Sequence, residues 1–190
     1  MIADHSIVVL TASAGGLKAI SHVLSSLPKN FPAPIVIVQH LHPDYPSMLP
    51  QILKSRTLLL VKQGEQGELM YPGVVYIAPS NQHLLIKPDG TLSLSSEAKV
   101  RHVRPSADVL FQSAATSFST QVIAVVLTGL NNDGAMGVQA VKKMGGIVIA
   151  QDEATSEYFS MPKAAIETGS VDFILPLDAI APTLLNLVMQ

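Results

Sequence analysis

The sequence predicts an α/β protein built on a doubly wound, mostly parallel sheet with an added antiparallel β-hairpin. Three observations lead there. Residues 35–38 (IVIV) and 122–127 (VIAVVL) are unbroken apolar runs, the mark of strands buried on both faces. Between such runs lie stretches whose apolar residues recur at helical spacing. Glycine pairs stand where one pattern gives way to the other, at Gly15-Gly16 and Gly145-Gly146. The 190 residues suit one domain, read here as 1–190, with no repeat, low-complexity tract or linker.

Taken in order, residues 6–11 (SIVVLT) form a β-branched strand. Leu17, Ile20, Val23, Leu24 and Leu27 then mark one face of a helix that Pro28 ends. The second strand is 35–38. Pro46 is placed to open a short helix running to Lys54, and 57–61 is a third strand. Residues 74–78 and 84–87 are short strands. Pro88-Asp89-Gly90 is a turn signal, and 91–95 alternates with period two, so a hairpin is expected here. Ser106 is the expected N-cap of a helix carrying Val109, Leu110, Ala114 and Phe118. The strand 122–127 follows, then a helix over 133–144, a strand at 147–150, a helix at 162–168, a strand at 172–175 and a closing helix over 177–189. Strands alternating with helices in this way give a Rossmann-like layout, whose ligand site lies beyond the carboxyl ends of the strands.

Composition removes several functions. Twelve basic against 14 acidic residues leave a formal charge of −2, which does not suit a nucleic-acid binder. With no cysteine, disulfides and zinc–thiolate sites are excluded, and a bridge-free domain suits a reducing cytoplasm. The N-terminus has no signal-peptide pattern, and no apolar run approaches the ~18 residues that a membrane span needs. The charged fraction of 14% is low against the usual ~25%, as for a surface that meets a partner. Asp152, Glu153 and Glu157 read as a solvated helix start rather than a metal site, and no metal or cofactor is expected.

Three polar residues leave three different strands at the same end. Ser13 follows the first, His40 the second, and Asp133 comes after VIAVVL in LTGLNNDG. A serine nucleophile needs such a set: the imidazole takes the hydroxyl proton, and the carboxylate holds the imidazole in its tautomer and stabilises its charged form. Each also has a plainer reading, Ser13 as an N-cap or turn residue, His40 as a structural histidine, Asp133 as a helix cap. The glycine turn resembles a phosphate cradle too, yet it lacks G-x-G-x-x-G and a Walker lysine. There is no G-x-S-x-G elbow, but triads are defined by geometry and not by order. Small residues around Ser13 allow close approach of a substrate, so the amides of Ala14 and Gly15 are candidate oxyanion donors, with Leu130 a further one. Met161 either lines the substrate groove or packs in the core. His42 and Pro43 are expected to shape their loop, and His83 to be structural.

At these residues the chain resembles the catalytic domain of the chemotaxis receptor protein-glutamate methylesterases, the CheB family. The segments are TASAGGLKAI around Ser13, VIVQHLHPDY around His40 and VVLTGLNNDGAMGV around Asp133. YIAPSNQHL, RPSADVLFQSAA and AQDEATSEYFSMPKAAIETG extend the likeness over essentially the whole chain. The resemblance implies hydrolysis of γ-glutamyl methyl esters on the cytoplasmic helices of methyl-accepting chemoreceptors with release of methanol, and deamidation of particular receptor glutamines. It implies Ser13 as nucleophile, His40 as base and Asp133 as its carboxylate, without a cofactor. The alternative is a weak or inactive domain of the same fold that binds a receptor and only signals.

The chain departs from the family pattern at Ala14, commonly threonine, and at Val103, where a basic residue is expected. Family members usually carry an N-terminal phospho-receiver domain, whereas here the first strand begins at residue 6. A fragment, a fusion-gene product and a stand-alone enzyme all remain open.

Overall fold

A strand without a polar face has to be covered on both sides, and this requirement organises the fold. In the computed structural model, which describes residues 6–40 and 47–189, β1 (Ile7–Ala12), β2 (Ile35–Gln39) and β7 (Val122–Val126) are buried at every position. They form the centre of a sheet that also contains β3 (Leu60–Gln63), β4 (Val74–Ile77), β8 (Ile147–Gln151) and β9 (Phe173–Leu175). The order is β3-β4-β2-β1-β7-β8-β9, and every pairing is parallel. The hairpin of β5 (His83–Ile86) and β6 (Leu92–Ser95) forms a separate antiparallel sheet. Its turn is closed by the Gly90 amide donating to Lys87 O, with Gly90 at φ +82°.

Among the described residues, six α-helices cover the sheet. On one face, α1 (Gly16–Ser25), α2 (Leu49–Lys54) and α6 (Leu177–Val188) pack Ile20, Leu24, Leu53 and Leu184 against Val8, Leu10 and Ala12. On the other, α3 (Ala107–Phe118), α4 (Ala135–Lys143), α5 (Ser160–Glu167) and the hairpin pack Phe111, Val138, Ala165 and Leu84 against Ile7 and Val9. The period-two alternation of β1 thus supplies both cores.

β1 lies between β2 and β7. The chain leaves β1 through α1 to one side and later returns to the other, so the sheet changes direction of winding at β1. The crevice at the carboxyl end of these three strands is where such sheets bind ligands.

Several boundaries differ from expectation. The third strand runs from Leu60 instead of 57, as an edge strand with alternating exposure. α2 begins at Leu49, with Pro50 in its first turn; Pro46, expected to open it, lies outside the described residues. α4 starts at Ala135, after a turn at Gly134 with φ +100°. The acidic stretch 152–157 is a turn and not a helix start: Asp152 Oδ1 accepts from the Thr155 amide (3.0 Å) and hydroxyl (2.6 Å). α5 begins at Ser160, ahead of Pro162. No helix among the described residues is long and apolar enough to cross a membrane.

Candidate active site

Parallel register puts Ser13 beside His40. Ala12 is paired with Gln39 at the ends of β1 and β2, and the His40 amide donates to Ala12 O (3.2 Å). On the other flank the Ser13 amide donates to Thr128 O (3.0 Å), just past β7. The Gln39 carboxamide then clamps the two chains together. Its Nε2 donates to Ser13 O (2.9 Å) and to His40 O (3.1 Å). After Ser13 the chain turns sharply into α1, with Gly15 at φ +76° and the Gly16 amide donating to Ser13 O (2.8 Å). Gly16 has no room for a side chain: a Cβ there would sit 2.1 Å from Gln39 Oε1.

His40 and Asp133, 93 residues apart in sequence, meet at 2.7 Å between Nε2 and Oδ2. Asp133 is 1% exposed, yet its carboxylate is surrounded by donors. Oδ2 also accepts from the Ala107 amide (2.6 Å), and Oδ1 accepts from the Ser106 hydroxyl (2.8 Å) and the Asp108 amide (3.0 Å). Burial by itself pushes this carboxyl up, but the His40 contact and the amides of Ala107 and Asp108 outweigh it and hold it below the usual carboxylate range. The charged form of Asp133 is therefore the one the fold is built for.

This arrangement corrects the expected role of Ser106. Its hydroxyl makes no cap bond to α3 and donates to Asp133 instead, while Asp133 accepts from the first amides of that helix. Asp133 is a helix cap after all, but of α3 and not of the helix that follows it. His83, also buried, accepts the Ser106 amide on Nδ1 (3.2 Å), and its Nε2 lies 3.0 Å from Ala98 O, so it ties the hairpin to the start of α3.

The second ring nitrogen of His40 is also engaged: Asn131 Nδ2 lies 3.0 Å from Nδ1. Both nitrogens have partners, and no Ser13–His40 hydrogen bond is among those the described residues make. Asn131 and Gln39 were not singled out from the sequence. The parallel strand ends adjoining Ser13 and His40 were the only signal for Gln39, and the N-N-D spacing the only one for Asn131.

The remaining candidates divide. The Ser13 amide is used by Thr128 O and the Gly16 amide within the turn, whereas those of Ala14 and Gly15 make no bond to the described residues. Leu130 is 61% exposed at the rim. Met161, a candidate for the substrate groove, is 1% exposed and lies beneath Gly129, whose hypothetical Cβ would be 2.1 Å from Met161 Sδ and 2.9 Å from Ser13 Cβ. Met161 and Ser13 thus both close on Gly129, leaving no space there for a side chain. His42 and Pro43 lie outside the described residues. An open groove beside Ser13 is lined by Leu17, Lys18, Gln39 and Arg56. Among the described residues, no group of three or more His, Asp or Glu is placed to hold a metal ion.

Fold and site together define a doubly wound α/β domain with a hydroxyl, an imidazole and a buried carboxylate gathered where the winding reverses. The chain belongs to the CheB methylesterase family, whose model matches residues 8–184. Protein-glutamate methylesterase FrzG of Myxococcus xanthus is 42% identical over 96% of this chain. A Thermotoga maritima protein-glutamate methylesterase/protein-glutamine glutaminase is 43% identical over 96% of it. The chain spans about half the length of these two relatives, 54% in each case, but 95% of a Leptospira interrogans homologue to which it is 41% identical. The crystal structure of the Thermotoga maritima CheB methylesterase catalytic domain superposes with a TM-score of 0.94 at 42% identity, covering 97% of this chain and all of that one.

Proposed function

We propose that residues 1–190 are one catalytic domain, a serine hydrolase that demethylates glutamyl methyl esters on chemoreceptor proteins. The observation that carries the reading is the 2.7 Å contact of His40 with a buried, anionic Asp133, at the strand end adjacent to Ser13. The family and its relatives' names support the reaction class.

In this reading Ser13 Oγ attacks the ester carbonyl carbon while its proton passes to His40 Nδ1, because Nε2–H is held by Asp133. The amides of Ala14 and Gly15, with that of Leu130 across the crevice, receive the negative charge on the carbonyl oxygen. His40 returns the proton to the leaving methoxide, and methanol departs. Water then attacks the acyl-enzyme, loses its proton to His40, and the glutamate carboxylate leaves as Ser13 recovers its hydrogen. A glutamine side chain follows the same course with ammonia as leaving group. The backbone amide after the nucleophile survives the change to Ala14, so the oxyanion site does not depend on a hydroxyl there. No metal or cofactor has a part in these steps.

The partner in this reading is the helical cytoplasmic region of a methyl-accepting chemoreceptor, met in the cytoplasm. An open groove suits a side chain presented on a rigid helix. Lys18 and Arg56, on its wall, have no carboxylate partner among the described residues and suit an acidic helix.

The test is methanol release from methylated receptor membranes, with wild type beside Ser13→Ala. Release by the wild type and none by the variant supports the hydrolase. Receptor binding without methanol from either would show a signalling module on the same fold.

A further inference from the structure

Asn131 reaches two members of the site at once. Its Oδ1 accepts the Asp133 amide (2.9 Å), which fixes the orientation of the carboxamide, and its Nδ2 faces His40 Nδ1 at 3.0 Å. A carboxamide nitrogen only donates. Nδ1 is therefore the acceptor and carries no proton, and the ring proton sits on Nε2, toward Asp133 Oδ2 at 2.7 Å. The lone pair that would take the Ser13 proton is already taken.

We propose that Asn131 is a positioning residue that caps the His40 Nδ1 lone pair in the free protein and has to release it before Ser13 can be deprotonated. The proposal rests on the reading of His40 as base to Ser13. While capped, the ring is held in the Nε2–H tautomer, which is the tautomer catalysis needs, but it cannot act. Once Nδ1 is protonated, the ring N–H and the Asn131 amino group would face each other as two donors, so the cap also opposes the charged form until it swings away. Asn131 can do so: it is only half-buried and follows Leu130, which stands out at the rim of the crevice. A substrate chain lying over Leu130 is positioned to shift this turn, which would couple occupancy of the groove to release of the base.

The experiment uses a small fluorophosphonate ester, which needs no receptor. Ser13 Oγ forms a bond to phosphorus, the P–F bond breaks, fluoride leaves and His40 takes the proton. Asn131→Ala removes the cap, and labelling of Ser13 should speed up about fivefold, the ratio that one neutral hydrogen bond is worth. Asn131→Asp keeps an acceptor for the Asp133 amide but draws a proton onto Nδ1, so labelling should slow. Thermal unfolding of both variants checks that they are folded. The ¹⁵N spectrum of the His40 ring gives a reading that a merely structural role would not move. At mildly alkaline pH, wild type should show Nδ1 hydrogen-bonded to the Asn131 amino group, and in Asn131→Ala the resonance should move as the Ser13 hydroxyl or water replaces that donor.

Labelling of wild type that is not accelerated in Asn131→Ala overturns the cap, and so does an unmoved Nδ1 resonance. No labelling of Ser13 in wild type or either variant sinks the serine hydrolase reading itself, and the cap with it.

Discussion

Asp108 and Asp133 cap each other's helices. Asp133, which precedes α4, accepts the Ala107 and Asp108 amides at the start of α3. Asp108, in the first turn of α3, accepts the Gly134 (3.0 Å) and Gly137 (2.7 Å) amides at the start of α4. Helix N-termini carry unpaired donors and a partial positive charge, which these two carboxylates satisfy. Their titrations nevertheless move in opposite directions. Asp133 is held low, for the reasons given above. Asp108 is pushed up because burial dominates over its two amides, and the charge of Asp133 adds to the effect. Arg101, at 3.3 Å, offsets only part of this.

The two groups make opposite contributions to stability against pH. A depressed folded pKa favours the fold above the unfolded value, ~3.9, and that support is lost as pH falls through the folded value. This is Asp133. A raised folded pKa favours the fold at low pH, and that support is lost as pH rises through the folded value, which is Asp108. Urea midpoints measured from roughly pH 3 to 7 should therefore fall more steeply toward acid in Asp108→Asn than in wild type, because the opposing group is gone. Equal slopes would show that the two carboxyls do not titrate as described.

Asp133→Asn should be much harder on the fold than Asp108→Asn. Four donors surround the Asp133 oxygens, so an amide nitrogen at either position faces two of them. A loss of about 2–5 kcal/mol is expected from a group of this kind, read by thermal or urea unfolding at neutral pH. A loss below that of Asp108→Asn would contradict the donor arrangement.

Ser13 and His40 should be non-additive. Each change to alanine should lower methyl ester turnover by ~10⁴-fold or more, and the double variant should be scarcely slower than either single one, because both act in one proton transfer. Losses that multiplied would place the two residues in separate steps.

Gly129→Ala should damage activity more than its size suggests. The added methyl enters the space of Met161 Sδ and comes within 2.9 Å of Ser13 Cβ. Met161 is buried, so its side chain has to repack within the core. Overpacking of this kind costs about 1–3 kcal/mol, and displacement of Ser13 by about 1 Å would cost ~10²-fold in turnover. A variant with wild-type kcat would show that Ser13 is not held from this side.

Gln39→Leu tests the clamp. It should lower kcat about tenfold with KM little changed, since it loosens the relative placement of Ser13 and His40 without touching the groove's cations. A change confined to KM would assign Gln39 to substrate binding instead.

The sheet was legible in the sequence because burial on both faces leaves a local trace. IVIV and VIAVVL need no partner to be recognised, and Pro88-Asp89-Gly90 names its own turn. The start of α3 at Ser106 was legible, but not what the Ser106 hydroxyl bonds; at Asp133 both the helix start and the bonding of the carboxylate differ from the local reading. Local preference says that serine can cap; it cannot say that a carboxylate 27 residues further on takes the helix amides and the serine hydroxyl together.

The sequence alone determined the strand–helix alternation and, through it, which residues stand at the carboxyl ends of the strands: Ser13, His40 and Asp133. Both follow from apolar periodicity, which is a one-dimensional property. Only the tertiary structure decided that His40 Nδ1 faces Asn131 Nδ2, that Met161 is buried against Gly129, and that Asp108 and Asp133 exchange helix caps. Those contacts join segments up to 91 residues apart. They depend on the register of parallel strands and the packing of α3 against α4, and neither leaves a pattern along the chain.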